Sequence, residues 1–367
     1  MARRTEGALL GLSLALALPL ALGFAALGTL VSGCGGKFAL PEETPGGVIP
    51  EKGSYAYRGT LDGVPNPTDV MLTLGIGRPT LYVVNDSAHV RAFPIYFNAF
   101  GPTNPLSYAF AGFLKPIKVC QGPNLIFVLD AGDTTLAQTD ISKAPGFLMY
   151  GLTGGTILAQ IRDTTLADVR GIAADAAGNV YVSCIAKEFI RDDPTDPRRR
   201  TYKFVSRVYR YRQDSGFEKD PNFFVDDGQG LGTVSEPQDL FVSPLAEAPS
   251  NLYIADTGKD IVQRMFIQDN GGEPLPAIAL DGIQSGTAIV VPTDFVSDDV
   301  QFQYITDIGN RRVLRYNPED LYIQKVNVEL DRFDDSLHVP VAVTADDSLV
   351  YVADYQTGRV TWYQRRK

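Results

Sequence analysis

The chain has 367 residues, 44% of them hydrophobic, with 35 Gly, 24 Pro, 19 Phe and 17 Tyr, so it is able to bury a large core and is not a disordered chain. Its net charge of −10 argues against nucleic acid as a partner, because a surface that tracks phosphates needs a basic excess. With 2 His and 3 Cys there is little material for His/Cys zinc sites or Ser-His-Asp relays, which weighs against catalysis.

Arg3 and Arg4 precede an uncharged, Leu- and Ala-rich run over residues 8–30, followed by Val31-Ser32-Gly33-Cys34-Gly35. A positive start, an apolar stretch and small residues before a cut site describe an export signal. The run is long enough to span a bilayer, so a retained anchor helix is the alternative; Gly11, Pro19, Gly23 and Gly28 interrupt such a helix. Val31-Ser32-Gly33-Cys34 resembles a bacterial lipobox. That resemblance implies cleavage after Gly33 and attachment of lipid, palmitate included, at Cys34, so that the membrane is met through the lipid. Gly35, standing where Asp would retain the protein at the inner membrane, implies the outer membrane of a bacterial envelope. Residues 1–33 are thus expected to be a removed signal. Residues 34–53, rich in Gly and Pro with almost no apolar period, are expected to be a flexible tether.

Residues 54–60 (Ser-Tyr-Ala-Tyr-Arg-Gly-Thr) read as a strand before any repeat. A phrase then recurs six times: Tyr82-Val-Val-Asn85, Phe127-Val-Leu-Asp130, Tyr181-Val-Ser-Cys184, Tyr253-Ile-Ala-Asp256, Tyr304-Ile-Thr-Asp307 and Tyr351-Val-Ala-Asp354, with its polar ends 45, 54, 72, 51 and 47 residues apart. Before each lies a second phrase: Pro67-Thr-Asp69, Pro116-Ile-Lys118, Val169-Arg170-Gly, Pro237-Gln-Asp239, Pro292-Thr-Asp294 and Pro340-Val-Ala342. Most copies continue into a turn and an apolar alternation, as in Gly309-Asn-Arg-Arg-Val313-Leu-Arg-Tyr316. Each unit therefore holds short β-rich runs separated by turn residues, the pattern of successive hairpins.

No sustained helical period follows residue 33. Six units over residues 54–367 give about 52 residues each, the size of a four-stranded propeller blade packed on both faces. Packing on both faces accounts for second strands that are apolar throughout instead of alternating. The last unit stops after its third strand, and residues 54–60 are expected to supply the fourth. The expected fold is all-β: a six-bladed propeller closed by pairing of the N-terminal strand with the last blade. The repeats resemble NHL-type propellers, whose blades share a Pro near the inner strand, an aromatic-aliphatic-x-Asp phrase and a Gly-Arg-Val-type third strand, seen here as Gly358-Arg-Val360. Unit two lacks the Gly-Arg-Val and unit three has Cys184 in place of Asp.

Both recurring polar positions fall on one mouth of the central channel. Asp130, Asp256, Asp307, Asp354 and Asn85 repeat too regularly for a site and are expected to hold turns by hydrogen bonds. The inner-strand position varies: Asp69, Lys118, Arg170, Asp239, Asp294 and Ala342. These charges are expected either to bind a ligand or cation or to neutralise one another. Gluconolactonase-like propellers bind Ca²⁺ or a similar hard divalent cation through oxygen ligands, so a metal-dependent hydrolase or lyase using Asp69, Asp239 and Asp294 is the alternative function. Lys118 and Arg170 oppose a cation there, and His89 and His338 are too few for a His-rich metal site.

Unit three carries extra length at residues 187–206, including Arg191, Arg198, Arg199 and Arg200, which suits a partner-binding loop or a solvated hairpin. Cys120 and Cys184 are expected to be separate thiols. The leading reading is a lipid-anchored extracytoplasmic propeller, more a binding or scaffolding module than an enzyme, that recognises protein, peptide or glycan at the channel mouth.

Overall fold

The computed structural model describes residues 55–73, 79–85, 89–96, 101–102, 110–152, 155–192, 200–242, 251–268, 271–278, 292–297, 303–316, 329–333, 337–346 and 348–365. Strand β1 (Tyr55–Leu61) is followed by six groups of strands. The first holds β2 (Pro67–Leu72), β3 (Thr80–Asn85), β4 (His89–Tyr96) and β5 (Gly101–Pro102), and the second β6 (Pro116–Gln121), β7 (Leu125–Asp130), β8 (Gly146–Gly151) and β9 (Ile157–Arg162). The third holds β10 (Leu166–Ala174), β11 (Val180–Asp192), β12 (Arg200–Arg212), β13 (Glu218–Asp227) and β14 (Thr233–Val234). The fourth is β15 (Pro237–Phe241), β16 (Asn251–Asp256), β17 (Ile261–Gln268) and β18 (Gly271–Ile278). β19 (Pro292–Ser297), β20 (Gln303–Asp307), β21 (Arg312–Tyr316) and β22 (Glu329–Phe333) make the fifth, and β23 (Pro340–Ala345), β24 (Leu349–Asp354) and β25 (Arg359–Arg365) the sixth.

Each group forms its own sheet with strands in chain order, and β1 lies outside β25 in the sixth. The innermost strands β2, β6, β10, β15, β19 and β23 touch one another in sequence and back to β2, which makes the arrangement a ring. The fold is a six-bladed β-propeller.

The second strand of each blade shows why the ring forms. Leu81 and Val83 point into a core shared with the sixth blade, while Tyr82 and Val84 point into a core shared with the second. Further cores join blades two and three, three and four, four and five, and five and six. Successive strand residues face opposite ways, so a strand buried on both sides must be apolar at every position. The aromatic that opens each recurring phrase fills these cores: Tyr82, Phe127, Tyr181, Tyr304 and Tyr351 are all buried.

β1 is antiparallel to β25, from Tyr55 opposite Arg365 to Leu61 opposite Val360. Its register shifts between Tyr57 and Gly59, where the indole of Trp362 lies so close that a Cβ on residue 59 would stand 2.7 Å from it. The Tyr55 hydroxyl meets that of Tyr304 in the fifth blade at 2.8 Å, which ties β1 to two blades at once.

Candidate functional site

The first residue of each inner strand pairs with the last of the second strand: Pro67 with Asn85, Pro116 with Asp130, Pro237 with Asp256, Pro292 with Asp307 and Pro340 with Asp354. Both recurring positions therefore lie on one face of the ring, called here the mouth.

The phrase-ending carboxylates are consumed by their own blades. Asp130 accepts N–H bonds from Leu114 (3.0 Å), Lys115 (2.6 Å) and Gly132 (3.1 Å) and an ion pair from Arg162 (2.8 Å). Asp354 accepts from the backbone of His338 (2.6 Å), Val339 (3.2 Å) and Thr357 (3.2 Å). Asp256 holds the Ser235 and Glu236 N–H groups, and Asp307 holds the side chains of Asn310 and Arg312. Each thus satisfies backbone or side-chain donors where the chain turns into or out of a strand, and each is fully buried or nearly so.

At the inner-strand position the side chains of three blades meet. The Lys118 ammonium lies 2.7 Å from Asp239 and 3.4 Å from Asp69. The second oxygen of Asp69 accepts the Val119 N–H at 2.7 Å, and Asp239 accepts the Leu240 N–H at 2.8 Å. All three side chains are buried. Lys118 belongs to blade two and Asp239 to blade four, so the contact spans blade three. It does so at Gly171, where a Cβ would sit 2.6 Å from the Asp239 Cα; the missing side chain is what lets Asp239 come in.

Here the structure corrects the alignment of the third unit. Val169 pairs with Cys184 and Gly171 with Ser183, so Gly171, not Arg170, stands in register with Asp69 and Lys118. Arg170 is the extra residue of the β-bulge that every inner strand carries after its first position. It turns instead to Asp168, 3.2 Å away. The phrase itself carries this order, since Gly171 is third in Val169-Arg170-Gly as Asp69 is in Pro67-Thr-Asp69. The backbone of Asp294 lies in β19, but its side chain is outside the described residues, as are Cys34, Arg198 and Arg199.

Asp69 and Asp239 also line a cavity of about 90 Å³ between the inner strands, with Val70, Val119, Ile172, Leu240, Val343 and Thr344 among its walls. Burial pushes the Asp69 carboxyl up from 3.8 to about 7; Lys118 pulls it down and Asp239 adds to the rise. The same burial, and then the two carboxylates, push the Cys120 thiol well above its usual value. Cys120 and Cys184 are both free thiols.

Since the folded-state value of Asp69 is the higher one, the native protein holds its proton more tightly than the unfolded chain. This contribution to stability is complete below about pH 4 and is lost as pH rises through about 7. Thermal melts between pH 5 and 8 should show the wild type losing stability more steeply than Asp69→Asn. Parallel slopes would contradict the assignment.

The third blade's extra length is a hairpin. β11 and β12 pair from Val180 opposite Tyr211 to Asp192 opposite Arg200, and the pairs beyond Ala186 project past the mouth end of the blade. Phe189 packs edge-on against Tyr202 with ring centroids 6.2 Å apart, and Lys187 lies over the Tyr202 ring at 5.4 Å. The Arg191 side chain is exposed, and Arg200 faces Asp192 at the loose distance of 4.0 Å.

Large exposed hydrophobic side chains gather on this same face. Leu114, Leu136, Ile141, Leu231 and Tyr355 stand on connections at the mouth, and Phe189, Ile190, Tyr202 and Phe204 on the hairpin. The others among the described residues, Tyr57, Leu158 and Phe224, lie on outer strands. This asymmetry was not legible as a site in the sequence, because nothing in the local pattern marks a loop Leu as exposed.

No family model matches the chain, and no curated protein matches it either. Among solved structures it is similar to a luciferin-regenerating enzyme, with a TM-score of 0.53 and 10% identity over 84% of this chain and 96% of that one. It is also similar to a streptogramin B lyase, with a TM-score of 0.48 and 10% identity over 85% of this chain and 88% of that one. At such identity the likeness speaks to the propeller fold alone.

Proposed function

We propose that the protein is a lipid-anchored extracytoplasmic propeller of NHL-like type whose mouth face binds a protein or peptide partner or a glycan. The observation that carries this reading is the gathering of exposed apolar side chains on that one face. Exposed apolar side chains are costly to leave open to water, and many of them on one face commonly mark a place of contact; a rigid propeller that displays them on loops is a suitable scaffold. The lipobox-like segment supports attachment at Cys34 in the envelope of a bacterium, at its outer membrane. The chain enters the domain at Tyr55, paired with Arg365 at the end of the sixth blade away from the mouth.

A hard divalent cation such as Ca²⁺ does not fit the group at the channel. Asp69 and Asp239 are the oxygen ligands that such an ion would take, and the Lys118 ammonium already stands between them.

Co-purification of the full chain from detergent-solubilised membranes tests the binding reading. Leu136→Asp/Ile141→Asp should lose the proteins or glycans that wild type retains, while Leu158→Asp, on an outer strand, should keep them. Equal retention by all three would remove the mouth from consideration.

A further inference from the structure

The two strands that close the ring carry no acidic residue. Arg58 lies in β1, Arg359 and Arg365 lie in β25, and Arg366 and Lys367 follow directly in the sequence, in a chain whose net charge is −10. Because β1 and β25 are antiparallel, Arg365 stands opposite Tyr55, beside the point where the residues before β1 join the domain. Arg58 and Arg365 are exposed, and Arg359, at the other end of β25, meets Asp62 at 2.9 Å. Arg365 touches the β23–β24 turn, its N–H donating to the Ser348 carbonyl at 2.7 Å. Of the two acids in that turn, Asp346 and Asp347, the first is occupied by the Ser348 and Leu349 N–H groups, each at 2.7 Å. Tyr55, Tyr57, Trp362 and Tyr363 share the same two strands; Tyr57 is 59% exposed and stands edge-on to Tyr363 with ring centroids 6.3 Å apart. Cations attract headgroup phosphates, and amphipathic rings settle at headgroup level, so this composition suits a lipid surface.

We propose that this end of the sixth blade rests on an anionic phospholipid surface, with Arg58, Arg365, Arg366 and Lys367 against the headgroup phosphates and Tyr57 at headgroup level. The occupant is a lipid surface for two reasons. Its charge is complementary to a basic site on a protein that is otherwise acidic, and the segment read as carrying the lipid joins the domain at this same end. The inference rests on the reading of Cys34 as a lipid attachment point and goes beyond it. A flexible tether leaves the orientation of a domain open, whereas a second, electrostatic contact fixes it, and a lipid chain combined with a basic patch holds more firmly than the chain alone. The mouth lies toward the other end of these strands, where Leu61 stands opposite Val360 and Arg359 opposite Asp354. In this arrangement it is turned away from the membrane.

Trp362, the single tryptophan of the chain, lies in β25 and reads this contact by energy transfer to a dansyl-labelled phospholipid. The full chain is reconstituted into phosphatidylcholine vesicles with and without phosphatidylglycerol. Transfer is expected to be larger with phosphatidylglycerol and to fall as added salt screens the contact. Arg365→Glu/Arg366→Glu/Lys367→Glu should bring it down to the phosphatidylcholine level, whereas Arg365→Lys/Arg366→Lys, which keeps the charge, should leave it unchanged. Equal transfer with and without phosphatidylglycerol, a triple variant that matches wild type, or a lysine variant that loses transfer as fully as the glutamate one overturns the proposal. Flotation with phosphatidylcholine vesicles alone reports lipid attachment separately. A wild type that floats only with phosphatidylglycerol would remove the attachment at Cys34 and leave the basic contact standing.

Discussion

Replacing Lys118 with Met should cost about 3–5 kcal/mol in a denaturant titration, the usual penalty for removing one partner of a buried ion pair. The reason lies in what remains. Asp69 and Asp239 are both buried, and Lys118 is the cation that bridges them across the third blade. Without it, two buried carboxylates are left close together, and their loss of hydration is no longer offset. The penalty should grow with pH, because protonation of Asp69 is the remaining way to remove a charge. Asp69→Asn/Lys118→Met/Asp239→Asn should recover most of the stability, since neutral amides do not demand a counter-ion. A Lys118→Met variant within about 1 kcal/mol of wild type, the size of an ordinary substitution effect, would show that the group contributes nothing as an ion cluster.

The second large effect is expected from deleting residues 54–60. The deletion takes Tyr55 out of a core it shares with Tyr304, Val313 and Tyr363, and it uncovers the outer edge of β25. Loss of a buried aromatic alone is worth about 3–5 kcal/mol, and the ladder to β25 goes with it. At about 2–4 °C per kcal/mol for domains of 150–250 residues, a fall in melting temperature on the order of 10 °C should result. A synthetic peptide of residues 54–61, added in excess, should restore part of the loss by binding the vacated edge, and the gain should rise with its concentration. An unchanged melt would mean that the remaining three strands of the sixth blade suffice.

The architecture was legible because the propeller repeats the same burial in each blade. The second strand is buried on two sides in every unit, so its apolar run reappears each time, and the Asp that ends it in four of the six recurs because those blades turn the same way. The mouth group was legible as residue types but not as contacts. Asp69, Lys118 and Asp239 are 49 and 121 residues apart in sequence, and only the curvature of the ring brings blade two to blade four. Gly171, on which that approach depends, gives no signal beyond being a glycine in a strand. Arg170, the one charged residue of its phrase, is the second residue of Val169-Arg170-Gly, whereas the inward position is the third, Gly171. The hairpin at residues 187–206 showed as extra length, whereas its reach past the mouth depends on where β10 stops, which the sequence of β11 does not state.

The pairing of Tyr55 with Arg365 has one more consequence. Neighbouring strands lie about 5 Å apart, so the two ends of the propeller chain are separated by little more than one strand spacing. The order in which the blades are threaded is then a matter of where the ring was cut, not of which blade packs on which. A short linker from residue 365 to residue 55, with new ends opened in a connection between two other blades, should give a circularly permuted protein with the same six inter-blade cores.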